Sequence, residues 1–269
     1  MHIDDLIGSV IKQISPTQTH ASLSVAKTWA QGRTLYGGIS AALIFAGMRQ
    51  LVPHEKLIRA LNTSFIGPIE ADQPFTIELT ILREGKNATQ VQGKIIQDQK
   101  PAVLMLASFG VARASKVEES SHSTHAMPVP IKPNFIPPIP KVVPSFLGHF
   151  DLVKERGGWP FTANKDSQIH GWMRLKKAPT AFTTAHLVAL IDVWPPTVLQ
   201  QLRWPAPAST MSWNLEFIHP HADFSPTQWF AYQALTRQAS NGYAHTEANV
   251  WDEHGRLVAI SRQTVAVFD

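Results

Sequence analysis

The chain has 269 residues, of which 44% are hydrophobic and 16% charged, so it can form a packed core and is not disordered. It contains no cysteine, which excludes disulfides, thiol nucleophiles and cysteine-ligated metals. The net charge of +4 comes without any Lys/Arg-rich run, so nucleic-acid binding has no support. The first residues lack a signal-peptide pattern and no apolar stretch is long enough to span a bilayer. We therefore expect a cytoplasmic protein without membrane contact.

The first half predicts one long buried helix followed by antiparallel strands. Residues 38–52 are apolar almost all round, begin with a glycine pair and end before Pro53, which is typical of a buried helix. Alternating segments at 75–82, 90–97 and 103–112 are separated by turn residues and predict strands. This order favours a curved sheet wrapped around the helix. Gly38-Ile39-Ser40-Ala41-Ala42 starts like the nucleophile elbow of serine hydrolases but lacks its last glycine, so we expect Ser40 to be a small residue that allows close helix packing.

A proline-rich segment separates the two halves. Residues 128–144 contain seven prolines, which disfavour both helix and central strand. We predict an amino-terminal unit over 1–118, a linker over 119–145 and a carboxy-terminal unit over 146–269. His122 and His125 lie in the linker without carboxylates nearby, so we expect no metal site there.

The second half predicts the same kind of unit. A strand at 170–175 precedes a helix from about 183 to 202, which Pro195 and Pro196 should end early or kink. Strands are predicted at 210–219, 228–238, 243–252 and 256–268, with turns at 241–242 and 253–255.

The two halves also share sequence. Phe65-Ile66-Gly67-Pro68 returns as Phe217-Ile218-His219-Pro220, an offset of 152 residues. Further on the offset becomes 154, which pairs Val111 with Val265. Self-similarity at this distance indicates a duplicated domain-sized unit, whose two copies should pack as a pseudo-dimer.

Asp192 is unusual because it lies in an apolar segment, Leu187 to Trp194, that should be buried. An ionised carboxylate in apolar surroundings is unfavourable unless it is paired or hydrogen-bonded. Such groups often have a catalytic function. The alternative is a structural carboxylate satisfied by the backbone or by a serine.

Together these features resemble the bacterial acyl-CoA thioesterase II family. The resemblance depends on Tyr36-Gly37-Gly38 at the start of the first helix, Asp192 in the second helix and the repeated Phe-Ile-x-Pro strand, and it covers roughly residues 25–113 and 146–269. It implies an α+β double hotdog fold, with two tandem units that each wrap a curved antiparallel sheet around a long central helix. It also implies hydrolysis of acyl-CoA, with acyl-CoA as the partner and without a cofactor or metal. We expect a homo-oligomer, a dimer or higher.

The resemblance implies a catalytic trio in the second half and an oxyanion contact in the first. Asp192, Thr210 and Gln263 would hold a water against the thioester. Backbone amides of Gly37 or Gly38 would stabilise the oxyanion, because a helix start presents free N–H groups. Tyr36 stands where family members often have a histidine, and the sequence assigns it no role.

The repeat predicts that only one such site exists per chain. The counterparts of Asp192, Thr210 and Gln263 in the first half are Phe45, Ile58 and Phe109, or Gly110 if the register differs by one residue. All of them lack the polar group, so the first half cannot hold the trio.

Two other functions stay open from the sequence. A hotdog hydratase or dehydratase would need a histidine beside the acid, and the nearest, His186, lies six residues before Asp192. A non-catalytic acyl-CoA-binding protein would be favoured if Asp192 were exposed or distant from Thr210 and Gln263.

Overall fold

The computed structural model describes residues 1–134 and 143–268. Three α-helices are present in these ranges: α1 (Ile3–Gln13), α2 (Gly37–Gln50) and α3 (Thr184–Ile191). Short 3₁₀ helices cover Lys27–Trp29, Ser145–His149 and Thr197–Gln200. None of the helices in the described ranges is long and apolar enough to cross a membrane.

The described residues also form thirteen strands. In the first half they are β1 (His20–Ser24), β2 (Ala30–Gln31), β3 (Thr34–Leu35), β4 (Lys56–Phe65), β5 (Pro74–Glu84), β6 (Ala88–Gln97) and β7 (Lys100–Val111). In the second half they are β8 (Phe150–Arg156), β9 (Gln168–Leu175), β10 (Ala208–Phe217), β11 (Phe230–Ser240), β12 (Tyr243–Trp251) and β13 (Leu257–Val267).

Eleven of these strands form one continuous antiparallel sheet. Its order is β1-β5-β6-β7-β4-β10-β13-β12-β11-β9-β8, so each half contributes a contiguous block and the blocks join where β4 pairs with β10. The junction is centred on Asn62 and Asn214, which are cross-strand partners and lie 152 residues apart. The Asn214 side-chain amide donates to the Asn62 carbonyl oxygen at 2.6 Å. A pseudo-twofold axis therefore passes through this pair, as the repeat predicts.

The strand pairing corrects one register that the sequence predicts. Phe65 of β4 pairs with Val103 of β7, and Phe217 of β10 pairs with Ala259 of β13. The offset between the halves is therefore 152 residues from β4 to β10 and 156 residues from β7 to β13. The predicted offset of 154 at the last strand is wrong because the connecting turns differ by more than two residues. The structural counterpart of Gln263 is consequently Ala107, and Phe109 corresponds to Val265.

Helix α2 lies in the core, and the sheet approaches it closely. Its residues Gly38 to Met48 are all buried, as the all-round apolar pattern predicts. A β-carbon on Gly93 of β6 would lie 2.4 Å from Ile44, so glycine at this position lets the strand and the helix touch. Helix α3 packs against α2, and their contact brings the two halves together on the inner side of the sheet.

The second central helix is shorter than the sequence predicts. The helix expected over about 183–202 ends at Ile191, and Asp192 caps it. Pro195 and Pro196 follow, and a separate 3₁₀ helix begins at Thr197. The sequence patterns do not predict helix α1 or the strands β1, β2, β3 and β8.

The described part of the proline-rich segment runs over the second half. Residues 112–134 form no helix or strand, and the Asn134 backbone amide donates to the Leu152 carbonyl of β8 at 2.9 Å. His125 packs edge-on against Trp172 and Trp251. Pro137, Pro138 and Pro140 fall outside the described residues.

Candidate active site

Asp192 is placed by the early end of α3. The Val193 amide donates to the Leu190 carbonyl at 3.1 Å, which tightens the last turn. Asp192 has φ −84° and ψ 2°, so the chain leaves the helix there before it reaches Pro195. The side chain therefore projects from the end of a buried helix rather than from its flank.

The structure brings Asp192, Gln263 and Thr210 together. The amide nitrogen of Gln263, on β13, donates to Asp192 Oδ1 at 2.8 Å. The hydroxyl of Thr210, on β10, donates to Gln263 Oε1 at 3.1 Å. Because Thr210 occupies the amide oxygen, it orients the Gln263 amide nitrogen towards the carboxylate.

The start of α2 meets this carboxylate from the other half of the chain. A β-carbon on Gly37 would lie only 3.0 Å from Asp192 Oδ2, so the helix backbone and the carboxylate are in close contact. The backbone amide of Gly38 hydrogen-bonds to the carboxylate. The predicted meeting of a glycine helix start with the acid is thus present in the geometry.

Burial raises the pKa of the Asp192 carboxyl to about 7. The hydrogen bonds from Gln263 and the Gly38 amide favour the ionised form and act in the opposite direction. The side chain is half-buried, because protein surrounds it except where it faces a cavity. Near neutral pH the group is divided between its acid and carboxylate forms, which suits proton transfer.

A cavity of about 1100 Å³ opens onto the carboxylate. Asp192, Thr210, Gln263 and Gly37 all line it, whereas Gly38 does not. Its walls are mainly apolar and contain many aromatic and proline side chains: Phe65, Pro68, Pro144, Phe146, Trp159, Pro160, Phe161, Trp194, Pro195, Pro196 and Pro207. Among the described residues of the lining, Arg33 and Asp192 are the ionisable ones. The cavity therefore suits an uncharged, apolar group beside a polar cluster.

The sequence assigns no role to two residues at the site. Tyr36 is buried, and its hydroxyl donates to the Ala189 carbonyl of α3 at 2.7 Å. Phe161 lines the cavity with a positive φ of 64°, an unfavourable conformation for a bulky residue, and its amide donates to the Leu199 carbonyl at 2.8 Å. Tyr36 carried no signal beyond its place before the glycine pair.

The equivalent location in the first half is filled by side chains. Phe45, Ile58 and Ala107, the counterparts of Asp192, Thr210 and Gln263, are all buried, and the ring of Phe109 lies 6.2 Å from that of Phe45. His219 replaces the cavity-lining Gly67, and its Nε2–H donates to the Ile58 carbonyl at 3.0 Å. Burial lowers the pKa of the His219 imidazole to about 4, so the ring is neutral there.

The other candidate groups make no hydrogen bond to the trio, although Ser40 also lines the cavity. His186 contacts Asp4 of α1 at 2.9 Å and the Thr183 hydroxyl at 2.9 Å, and it does not line the cavity. The Ser40 hydroxyl donates to the Tyr36 carbonyl within its own helix at 3.2 Å. In the described ranges, no group of three or more His, Asp or Glu side chains is arranged to hold a metal.

Solved structures share this architecture. A protein of unknown function with a hot dog fold from Alicyclobacillus acidocaldarius is 23% identical, with a TM-score of 0.83 over 99% of this chain and 98% of that one. Acyl-CoA thioesterase II TesB2 from Mycobacterium marinum is 16% identical, with a TM-score of 0.74 and coverage of 98% and 97%. The tesB protein of Mycobacterium avium subs. paratuberculosis is 14% identical, with a TM-score of 0.75 and full coverage of both chains (100%). No curated protein sequence matches the chain.

The fold is therefore a double hotdog, which confirms the predicted fold class. Residues 25–110 match the family model of the acyl-CoA thioesterase N-terminal domain, and residues 123–267 match that of the C-terminal domain. The chain belongs to the acyl-CoA thioesterase family and is an acyl-CoA thioesterase.

Proposed function

We propose that this thioesterase hydrolyses its acyl-CoA substrate with Asp192 as the general base. The observation that carries the proposal is the chain of hydrogen bonds from Thr210 through Gln263 to Asp192, at the start of α2 and inside an apolar cavity. A carboxylate with a pKa of about 7 is suited to accept a proton at neutral pH.

In the proposed reaction, a water held by the trio attacks the thioester carbonyl carbon. The water gives one proton to Asp192 as the new C–O bond forms. The C–S bond then breaks, and the CoA thiolate leaves and takes up that proton, so the products are a carboxylic acid and CoA. We assign the stabilisation of the negative charge on the carbonyl oxygen to the backbone amide of Gly37, because the Gly38 amide is engaged by Asp192 and Gly38 does not line the cavity.

The apolar cavity walls support an uncharged acyl group as the substrate. Burying a second carboxylate here would be unfavourable, because Arg33 is exposed and the other described residues of the lining, apart from Asp192, are not ionisable. The hydratase alternative gains no support, because His186 is held by Asp4 and Thr183 outside the cavity.

A thiol-release assay over a panel of acyl-CoA substrates tests the proposal. Asp192→Asn should lower kcat by at least about a hundredfold, the lower range of a general-base contribution. Asp252→Asn is the matched control, because Asp252 is a buried carboxylate that pairs with Arg256 in the β12–β13 turn and is absent from the cavity lining. The control should keep its activity per folded molecule.

Retention of activity in Asp192→Asn would exclude Asp192 as the base. Binding of acyl-CoA by the wild type without thiol release would favour the non-catalytic alternative.

A further inference from the structure

Tyr36 connects the two helices that build the site. It precedes α2, and its hydroxyl donates to the carbonyl of Ala189, three residues before Asp192, at 2.7 Å. The two residues are 153 positions apart in the chain and belong to different halves. This hydrogen bond therefore crosses the same junction as the contact between Gly37 and Asp192.

The Ala189 carbonyl needs this donor because α3 ends abruptly. In a continuing helix the amide of Val193 would donate to Ala189, but here it donates to Leu190. Ala189 is buried, and a buried carbonyl without a partner is unfavourable. The phenol supplies the missing hydrogen bond at the turn that sets the direction of Asp192.

The phenol itself is held in one position. Its ring stacks on Phe146, with centroids 4.0 Å apart and planes within 3°. A β-carbon on Gly38 would lie 2.5 Å from the Tyr36 hydroxyl oxygen. Glycine at position 38 thus makes room for the ring, which is a second reason for the glycine pair besides the oxyanion contact.

We propose that Tyr36 is a positioning residue, which holds the end of α3, and with it the Asp192 carboxylate, in register with the start of α2. The inference rests on the proposed function of Asp192 as the base. A displacement of about 1 Å in a reacting group can lower a rate by roughly a hundredfold. Loss of the link should therefore impair turnover although Tyr36 itself touches neither water nor substrate.

A second buried phenol, that of Tyr232, provides a control for Tyr36. Burial raises the pKa of both Tyr36 and Tyr232 above the ordinary range, so both stay protonated. Tyr232, on β11, stacks on Trp194 at 6.4 Å and makes no link to α3 among the hydrogen bonds of the described residues. Replacing each by phenylalanine removes one hydroxyl and keeps the ring.

The experiment compares Tyr36→Phe with Tyr232→Phe and the wild type. Thiol release gives kcat and KM as a function of pH, and thermal unfolding gives Tm. For Tyr36→Phe we expect kcat to fall by about ten- to a hundredfold with KM within about twofold, since orientation is lost rather than binding. Asp192 should also become more accessible to water, so the acid limb of the pH profile should move to lower pH. Tyr232→Phe should leave both readouts unchanged.

A lower Tm in Tyr36→Phe with unchanged kcat per folded molecule and an unchanged pH profile would overturn the proposal and make the hydrogen bond purely structural. Equal losses in both phenylalanine variants would also overturn it, because the link to Ala189 would then have no special effect. Asp192→Asn separates this outcome from failure of the proposed function: if that variant stays active, the base assignment fails whatever Tyr36→Phe shows.

Discussion

Replacement of Asp192 by asparagine should stabilise the protein while it removes activity. The folded-state pKa of Asp192 is about 7, against an ordinary value of 3.8, so the folded protein opposes ionisation of this carboxyl. The resulting loss of stability is absent below pH 3.8, grows as the pH rises and is complete above about 7. Asparagine carries no charge at any of these pH values and avoids the loss.

The magnitude follows from the size of the shift. A difference of about three pKa units corresponds to an upper limit of about 4 kcal/mol at pH 8, since one unit is worth 1.36 kcal/mol. Two effects reduce this gain. The cavity admits solvent, which lessens the penalty for ionising Asp192, and the asparagine NH2 group would face the N–H donors of Gly38 or Gln263, which is unfavourable. We therefore expect a net gain of about 1–3 kcal/mol, or roughly 2–6 °C in Tm for a chain of this size.

Thermal or denaturant unfolding at pH 8 and pH 5 measures this effect. The gain for Asp192→Asn should be larger at pH 8 than at pH 5, because ionisation is more complete at the higher pH. Asp252→Asn should instead lower stability, since it removes the buried carboxylate that pairs with the half-exposed Arg256, whose Nε lies 2.6 Å from Asp252 Oδ2. If Asp192→Asn also lost stability at pH 8, the carboxylate would be a structural group, and the reasoning from its burial would be refuted.

Three further predictions concern turnover. The kcat/KM of the wild type should rise with pH and level off above about 7, because the base must be ionised; a pH-independent rate between 5 and 8 would contradict this. Thr210→Val and Gln263→Leu should each lower kcat by about tenfold or more and change KM little, as steady-state kinetics can show, whereas a rise in KM alone would place the residue in the acyl pocket. Phe161→Ala should raise kcat/KM for a bulky acyl group relative to acetyl, because it removes a ring from the cavity wall; an unchanged ratio across the substrate panel would show that Phe161 does not shape the pocket.

Much of the fold could be predicted because each half carries strong local patterns. The all-round apolar stretch at 38–52 identified α2, and alternating residues identified most strands. Helix α1 also had a readable signal, since Ile3, Leu6, Ile7 and Val10 follow helical spacing and face the core. Strand β8 has little sequence signal, because its first four residues are all buried and do not alternate between buried and exposed positions.

The site could be predicted only in its composition. An aspartate in an apolar helix is visible in the sequence, because its burial is unfavourable wherever the chain folds. The Tyr36–Ala189 hydrogen bond cannot be seen in the sequence, because it joins residues 153 positions apart and its acceptor is a backbone carbonyl, which every residue has. The counterpart of Gln263 was placed at Phe109 instead of Ala107 because turn lengths decide the register and cannot be read from two similar strands.

The central claim is that two unequal halves build one acyl-CoA site per chain. Gly37 from the first half meets Asp192 from the second, whereas the equivalent location contains Phe45, Ile58 and His219. Calorimetric titration of Asp192→Asn with a slowly hydrolysed acyl-CoA tests this most directly, because the variant binds without consuming its ligand. The account predicts one ligand bound per chain, and two equal sites per chain would contradict it.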